Sequence, residues 1–284
     1  MQKGFLSIVL LISYFFSHAV GKDSTANEFL ADGLLFKPAF LDPTQANING
    51  SINGYWQDHK PFDGQYSTYS LGSSKSLIRW DGKKNRMYEW GMDLGATGQF
   101  EWKKVGQYPQ LNFLNVDFKV SSLFNIKWNE KHSMRIRIYH TSSHMGDDYM
   151  VRNNVESFIP NYVNYEQLDV LHSVNYKKYF RFYYGGGVNA RIITIRKSIF
   201  MELGFEMHVP LTKRLDFFVG SDCKIWQQND YIPGINSAIG IAFKGEKNRR
   251  LYMVLHYFQG RSPFSQYQFT YVNWLGVGAY FSPY

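Results

Sequence analysis

The chain has 284 residues, a formal net charge of +8 and one cysteine, Cys223, which excludes an intramolecular disulfide framework. Aromatic residues make up 18% of it, yet its mean hydropathy is only −0.34. Beyond the first residues no apolar run approaches the roughly 20 residues of a membrane-crossing helix, and no metal-binding Cys/His spacing, phosphate loop or dinucleotide fingerprint occurs.

Lys3 precedes an apolar run from Phe5 to Phe16, followed by the small residues Ser17, Ala19 and Gly21. This is the pattern of a secretory signal peptide, assigned to residues 1–21. The run is too short for a retained anchor, and no cysteine follows it to carry a lipoprotein anchor. In an exported chain the positive charge is expected to meet anionic phosphates of lipid head groups or lipopolysaccharide, not nucleic acid. Residues 22–45 read as a short lead-in with a turn at Asp42-Pro43.

From residue 46 to the end a period of two recurs. Tyr88, Trp90, Met92 and Leu94 alternate with Glu89, Gly91, Asp93 and Gly95; Leu114, Val116, Phe118 and Val120 alternate with Asn115, Asp117, Lys119 and Ser121. The same pattern returns in Leu168–Val174, Met201–Met207 and Leu275–Phe281, and no amphipathic helix stands out. The faces opposite the apolar ones carry Arg135, Arg137, Asp169, Glu202 and Glu206, charges of both signs. Residues 46–284 have room for about 12 strands of ten or so residues, with Tyr271–Phe281 as the closing strand. The expected fold is all-β: a transmembrane antiparallel β-barrel, apolar toward lipid, filled inside by paired charges, with aromatic girdles at the two interfaces. The alternative is a soluble β-sandwich or open sheet with a wet polar face. The glycines of Tyr184-Gly185-Gly186-Gly187-Val188 lack the Lys-Ser/Thr of a phosphate loop and are expected to relieve crowding within a strand.

One stretch carries chemistry. In the strand from Arg135, residues two apart share a face, so Ile136, Ile138, His140 and Ser142 line one side while Arg135, Arg137 and Tyr139 line the other. The chain between Ser143 and Tyr162 reads as a loop, and the next strand starts near Val163. Leu168 and Val170 mark that strand's apolar face, which places Asn164 and Glu166 on the same side. Hairpin pairing would set Ser142 opposite Asn164 and His140 opposite Glu166, with Cβ atoms roughly 5 Å apart. A serine hydroxyl becomes a nucleophile when an imidazole takes its proton, and the imidazole needs a polar group to fix its tautomer and balance its charge. Ser142, His140 and Glu166, with Asn164 as the fallback orienter, are therefore the candidate catalytic set. The bland alternative is a group of interfacial polar residues at strand ends. His144, Asp147 and Asp148, just beyond, are candidate ligands for a hard cation such as calcium, against a solvated loop with an Asx-type turn.

Tyr139-His140-Thr141-Ser142, followed after a loop by Asn164-Tyr165-Glu166-Gln167-Leu168, resembles the active-site hairpin of outer-membrane phospholipase A. That resemblance covers about 35 residues and implies a twelve-stranded barrel with a lipid-facing His-x-Ser pair. The family continues with Asn-Gly after the serine, where this chain has Ser143-His144. A third member at Glu166 is closer to the lipid A deacylases. Over the whole chain, Leu35-Phe36-Lys37-Pro38 with Asp42-Pro43, and His140-Thr141-Ser142-Ser143-His144-Met145-Gly146-Asp147-Asp148, resemble the opening and central signature of a family of uncharacterised Gram-negative envelope proteins, a domain of unknown function. This implies an envelope location and no activity.

The reading is a bacterial outer-membrane β-barrel with a lipid-facing Ser-His-Glu site for ester hydrolysis of phospholipid or lipid A. The alternative is a noncatalytic barrel, either a narrow channel or a structural or assembly partner in the envelope. Membrane lipids or lipopolysaccharide are the expected partners, calcium is the one cofactor considered, and assembly as a homodimer is left open.

Overall fold

The computed structural model describes residues 28–156, 163–190 and 197–283, so the signal peptide assigned to residues 1–21 lies outside the described residues. In chain order the elements are β1 (Glu28–Phe29), β2 (Ile48–Gln57), β3 (Lys60–Pro61), β4 (Gln65–Asp81), β5 (Met87–Val105), β6 (Tyr108–Lys127), β7 (His132–Met145), α1 (Asp147–Asn153), β8 (Asn164–Tyr176), β9 (Phe180–Asn189), β10 (Ile199–Pro210), β11 (Leu215–Trp226), β12 (Pro233–Lys244), β13 (Arg250–Arg261) and β14 (Tyr271–Ser282).

From β4 to β14 each strand pairs antiparallel with the next. β14 pairs with β2 from Val272↔Gln57 to Phe281↔Ile48, and β2 pairs with β4 from Ile48↔Leu71 to Asn53↔Tyr66. The result is a closed barrel of twelve strands, with the two-residue β1 and β3 as appendages. Closure gives each barrel strand a partner on both sides over part or all of its length; the β2–β4 seam is six residue pairs long, and β4 beyond Leu71 and β6 before Asn115 run past β2 and β7. Short turns at 82–86, 128–131, 177–179, 211–214 and 245–249 gather at one end. The other connections gather at the opposite end; apart from the two-residue turn at 106–107 they are longer, and one carries α1.

Alternation sets the two faces. In β7 every second residue from Ser133 to Met145 is buried while those between are half-buried. Leu71, Leu94, Phe118, Val120, Leu168, Val170, Met201, Leu203, Leu255 and Val277 point outward and are exposed, an apolar belt around the wall. Inside, the charges pair: Arg137 Nη2 lies 2.6 Å from Asp169 Oδ2, and Arg181 Nη1 lies 3.3 Å from Glu206 Oε1. Within β9, Gly185 fits a close approach, because a Cβ there would stand 2.0 Å from the Val170 carbonyl oxygen of β8.

Residues 35–47, which include the second half of the 22–45 lead-in, form a plug. The Leu35 N–H donates to Glu89 of β5, Arg181 of β9 donates to the Lys37 and Pro38 carbonyls, and the Phe40 N–H donates to Glu206 of β10. The Lys224 ammonium of β11 sits 2.6 Å from Asp42 Oδ2 and 3.1 Å from Glu202 Oε2. Arg135 and Arg137 of β7 both donate to Gln45 Oε1, at 3.2 and 3.0 Å, and Asn236 of β12 donates to the Leu41 carbonyl at 2.7 Å. A segment that reaches side chains from so many strands of a closed ring must run inside it. Phe36, Ala39, Leu41, Asp42 and Gln45 are accordingly buried.

Three further expectations change. The aromatic load is not confined to girdles: Tyr66, Trp80, Tyr139, Tyr183, Phe218 and Tyr252 are buried, and Phe258 stacks on Trp274 at 4.2 Å between centroids. Leu114 turns inward, because the register shifts between Gln99 and Phe100 against β6, and a bulge reverses the parity of the residues beyond it. The stretch after Ser143 is not all loop. β7 runs on to Met145, and Gly146 then leads into α1, whose seven residues are too few to show a helical period.

Candidate active site

β7 and β8 pair in the register expected of the hairpin: His140↔Glu166 and Ser142↔Asn164. This register follows from parity, because each strand must turn its apolar set outward and a slip of one residue would invert both faces. His140 Nδ1 and Glu166 Oε1 are 3.2 Å apart, and the two side chains are about one-third exposed, at 36% and 33%. A carboxylate on Nδ1 leaves Nε2 as the nitrogen for a nucleophile's proton, the division of labour of a serine triad. Ser142 shares the outward face two residues further along the same strand. Among the described residues no hydrogen bond joins Ser142 to His140; in an unliganded site such contacts are often long and tighten on binding. Asn164 has its Oδ1 buried without a hydrogen-bond partner.

Ser143 goes the other way. It is buried on the inner face and donates to Asp117, which also accepts from the Ser265 N–H at 2.8 Å. The two neighbouring serines are thus separated by the wall of the barrel. Toward the short-turn end, Ile138, Ile136, Leu168 and Val170 continue the apolar belt below the site. Toward the long-loop end, β7 ends three residues after Ser142.

The candidate cation ligands are not brought together. His144 faces outward with its ring 6.3 Å from that of Phe118, whereas Asp147 and Asp148 occupy the first turn of α1 and are exposed. There they complement the unpaired N–H groups of a helix start. No group of three or more His, Cys, Asp or Glu able to hold a metal ion occurs among the described residues.

Residues on more distant strands complete the site's surroundings. Leu71, Leu94, Ala96, Phe118 and Val120 from β4, β5 and β6 line a hollow of about 440 Å³ on the outer wall, and His140 and Ser142 close one end of it. The outward parity of β5 and β6 was visible in sequence, but which of their residues neighbour His140 depends on the register of three strand pairs.

Fold and outer wall together define a plugged, closed antiparallel β-barrel with an apolar belt and a polar Ser-His-Glu cluster at the belt's edge. The chain belongs to the family described as protein of unknown function (DUF1207), which it matches over residues 15–282. No curated protein sequence matches it. Among solved structures it is similar to the KdgM porin (10% identity, 81% of this chain and 98% of the porin covered, TM-score 0.40). It is also similar to the translocator domain of the autotransporter NalP from Neisseria meningitidis (10% identity, 83% and 86% covered, TM-score 0.38). A third is CdiB from Acinetobacter baumannii (11% identity, 82% and 59% covered, TM-score 0.34). The barrel class rests on the strand topology itself, and none of these similarities shows the expected resemblance to outer-membrane phospholipase A or the lipid A deacylases.

Proposed function

We propose that this protein is an outer-membrane barrel that hydrolyses an ester of a membrane lipid at its outer wall. Ser142 is the nucleophile, His140 the base, and Glu166 the group that orients and balances the imidazole. The observation that carries this reading is the 3.2 Å contact between His140 Nδ1 and Glu166 Oε1 on the same outward face as Ser142. Three such groups beside an apolar belt need a use, since polar side chains facing hydrocarbon are otherwise unfavourable. Their place near the strand ends is the depth at which a lipid presents its ester carbonyls. Short turns at one end and, apart from the 106–107 turn, longer loops at the other match the usual periplasmic and extracellular ends of such barrels, which would put the site at the outer leaflet.

A noncatalytic envelope barrel is the second reading, favoured by the lack of a hydrogen bond between Ser142 and His140. Its channel form is opposed by the plug, which occupies the lumen with Asp42, Gln45 and Phe36.

The test is hydrolysis by the purified protein in vesicles of phospholipid or lipopolysaccharide, with and without calcium, products being read by mass spectrometry. Ser142→Ala and His140→Ala should each lower the rate by at least about 10³-fold with the barrel intact, since base and nucleophile act as a unit. Glu166→Gln should impair it less, because an amide still orients the ring. Absence of hydrolysis by the wild type with every lipid would leave the noncatalytic reading.

A further inference from the structure

Two adjacent rows of outward side chains cross the wall to β8, the first from β4 and the second from β5. One runs Leu71, Ala96, Phe118, Ser142, Asn164, and the other runs Leu94, Val120, His140, Glu166, each residue directly opposite the next. Neighbouring strands lie about 4.8 Å apart, so the three steps from Leu71 to Ser142 span about 14 Å. Ala96 is a small outward residue in this surface, beside Gly95 in the lining. Leu71 and Phe118 flank it across the strands, Leu94 precedes it by two, and Val120 lies on the diagonal. A methyl group ringed by four larger side chains leaves the hollow of about 440 Å³ described above. Lys119 brings no charge into it: its ammonium is turned inward to the Thr44 carbonyl while its backbone passes here.

We infer that this hollow seats one acyl chain of a membrane lipid and that Ala96 determines which chains fit. The hollow is open to the outside, lined mainly by alkyl and phenyl groups, set within the apolar belt, and bordered on one side by His140 and Ser142. A flexible uncharged chain with a polar end matches that sequence of surfaces. The assignment of its ester to Ser142 rests on the hydrolase reading; the seating of the chain does not.

The experiment uses the full-length protein in phospholipid vesicles containing a phospholipid with a diazirine near the end of one acyl chain. After irradiation, labelled peptides are mapped. Labelling should be several-fold higher on the Leu94–Val120 wall than on β11–β13. Ala96→Trp should bring it down to the level of the opposite wall, while Leu203→Trp, outward on β10, should leave it unchanged. In parallel, Ala96→Trp should lower the ratio of long-chain to short-chain ester hydrolysis by at least about tenfold, the scale on which a filled apolar pocket discriminates. Even labelling around the barrel, or labelling insensitive to Ala96→Trp, overturns the inference. So does dominant protein–protein cross-linking at this wall, which would make a second copy the occupant. Localised labelling with no hydrolysis of any ester keeps the seat and removes the hydrolase, whereas hydrolysis with even labelling does the reverse.

Discussion

Val277 lies at the middle of β14 with Leu255 and Ile52 directly opposite on β13 and β2, and the three side chains are 62%, 49% and 56% exposed. The same exposure has opposite consequences in water and in lipid. In water, a substitution at so open a position changes stability by no more than about 0.5 kcal/mol. At the midplane of a bilayer, Val277→Lys costs about 2–4 kcal/mol, because the ammonium loses its hydration and four methylenes only partly let it reach an interface. With about 1.4 kcal/mol per factor of ten, the folding equilibrium should shift by about 30-fold to 700-fold. Phe281→Lys, near the end of the same strand, is the control, since the electrostatic cost falls to about 0–1 kcal/mol close to an interface. Equilibrium unfolding by urea from lipid vesicles, followed by tryptophan fluorescence and by heat-dependent gel mobility, measures both. A Val277→Lys variant within about 0.5 kcal/mol of wild type would mean that the belt is wet and that the membrane reading is wrong.

Outcomes at three further positions are expected. Lys224→Met leaves Asp42 and Glu202 buried without their ammonium and should destabilise by about 3–5 kcal/mol, with conductance rising in planar bilayers as the plug loosens. Asp42→Ala alone should cost less, because Glu202 still neutralises Lys224, and a double-mutant cycle with coupling below about 0.5 kcal/mol would show that the pair does not hold the plug. Ser143→Ala should cost about 1 kcal/mol, near the low end for a lost partner, because Asp117 keeps the Ser265 N–H and the Asn115 amide. It should leave ester hydrolysis unchanged, and an essential Ser143 beside a dispensable Ser142 would refute the register on which the site is built.

Much of the site was legible before any tertiary structure. Backbone pleating alone puts Ile138, His140 and Ser142 on one face and Arg137, Tyr139 and Ser143 on the other. The demand that Leu168 and Val170 share the belt then aligns Glu166 with His140. The cation ligands were not legible in the same way. His144 is set by strand parity, but Asp147 and Asp148 by a short helix that no periodicity announces.

The amino-acid order by itself determined what repeats every two residues: which side chains meet the outer surface, which face the interior, and where about twelve strands could lie. That information is local, because the alternation belongs to each strand regardless of its neighbours. Tertiary structure alone decided what depends on closure. Residues 35–47 have no period, and their place follows only once Arg137, Arg181, Glu206 and Lys224 converge from separate strands on one lumen. The bulge opposite Gln99 and Phe100 that turns Leu114 inward is a mismatch between two strands, invisible in either one. The hollow over Ala96 is likewise a property of three registers at once, since a small side chain makes a cavity only when the wall has placed larger ones around it.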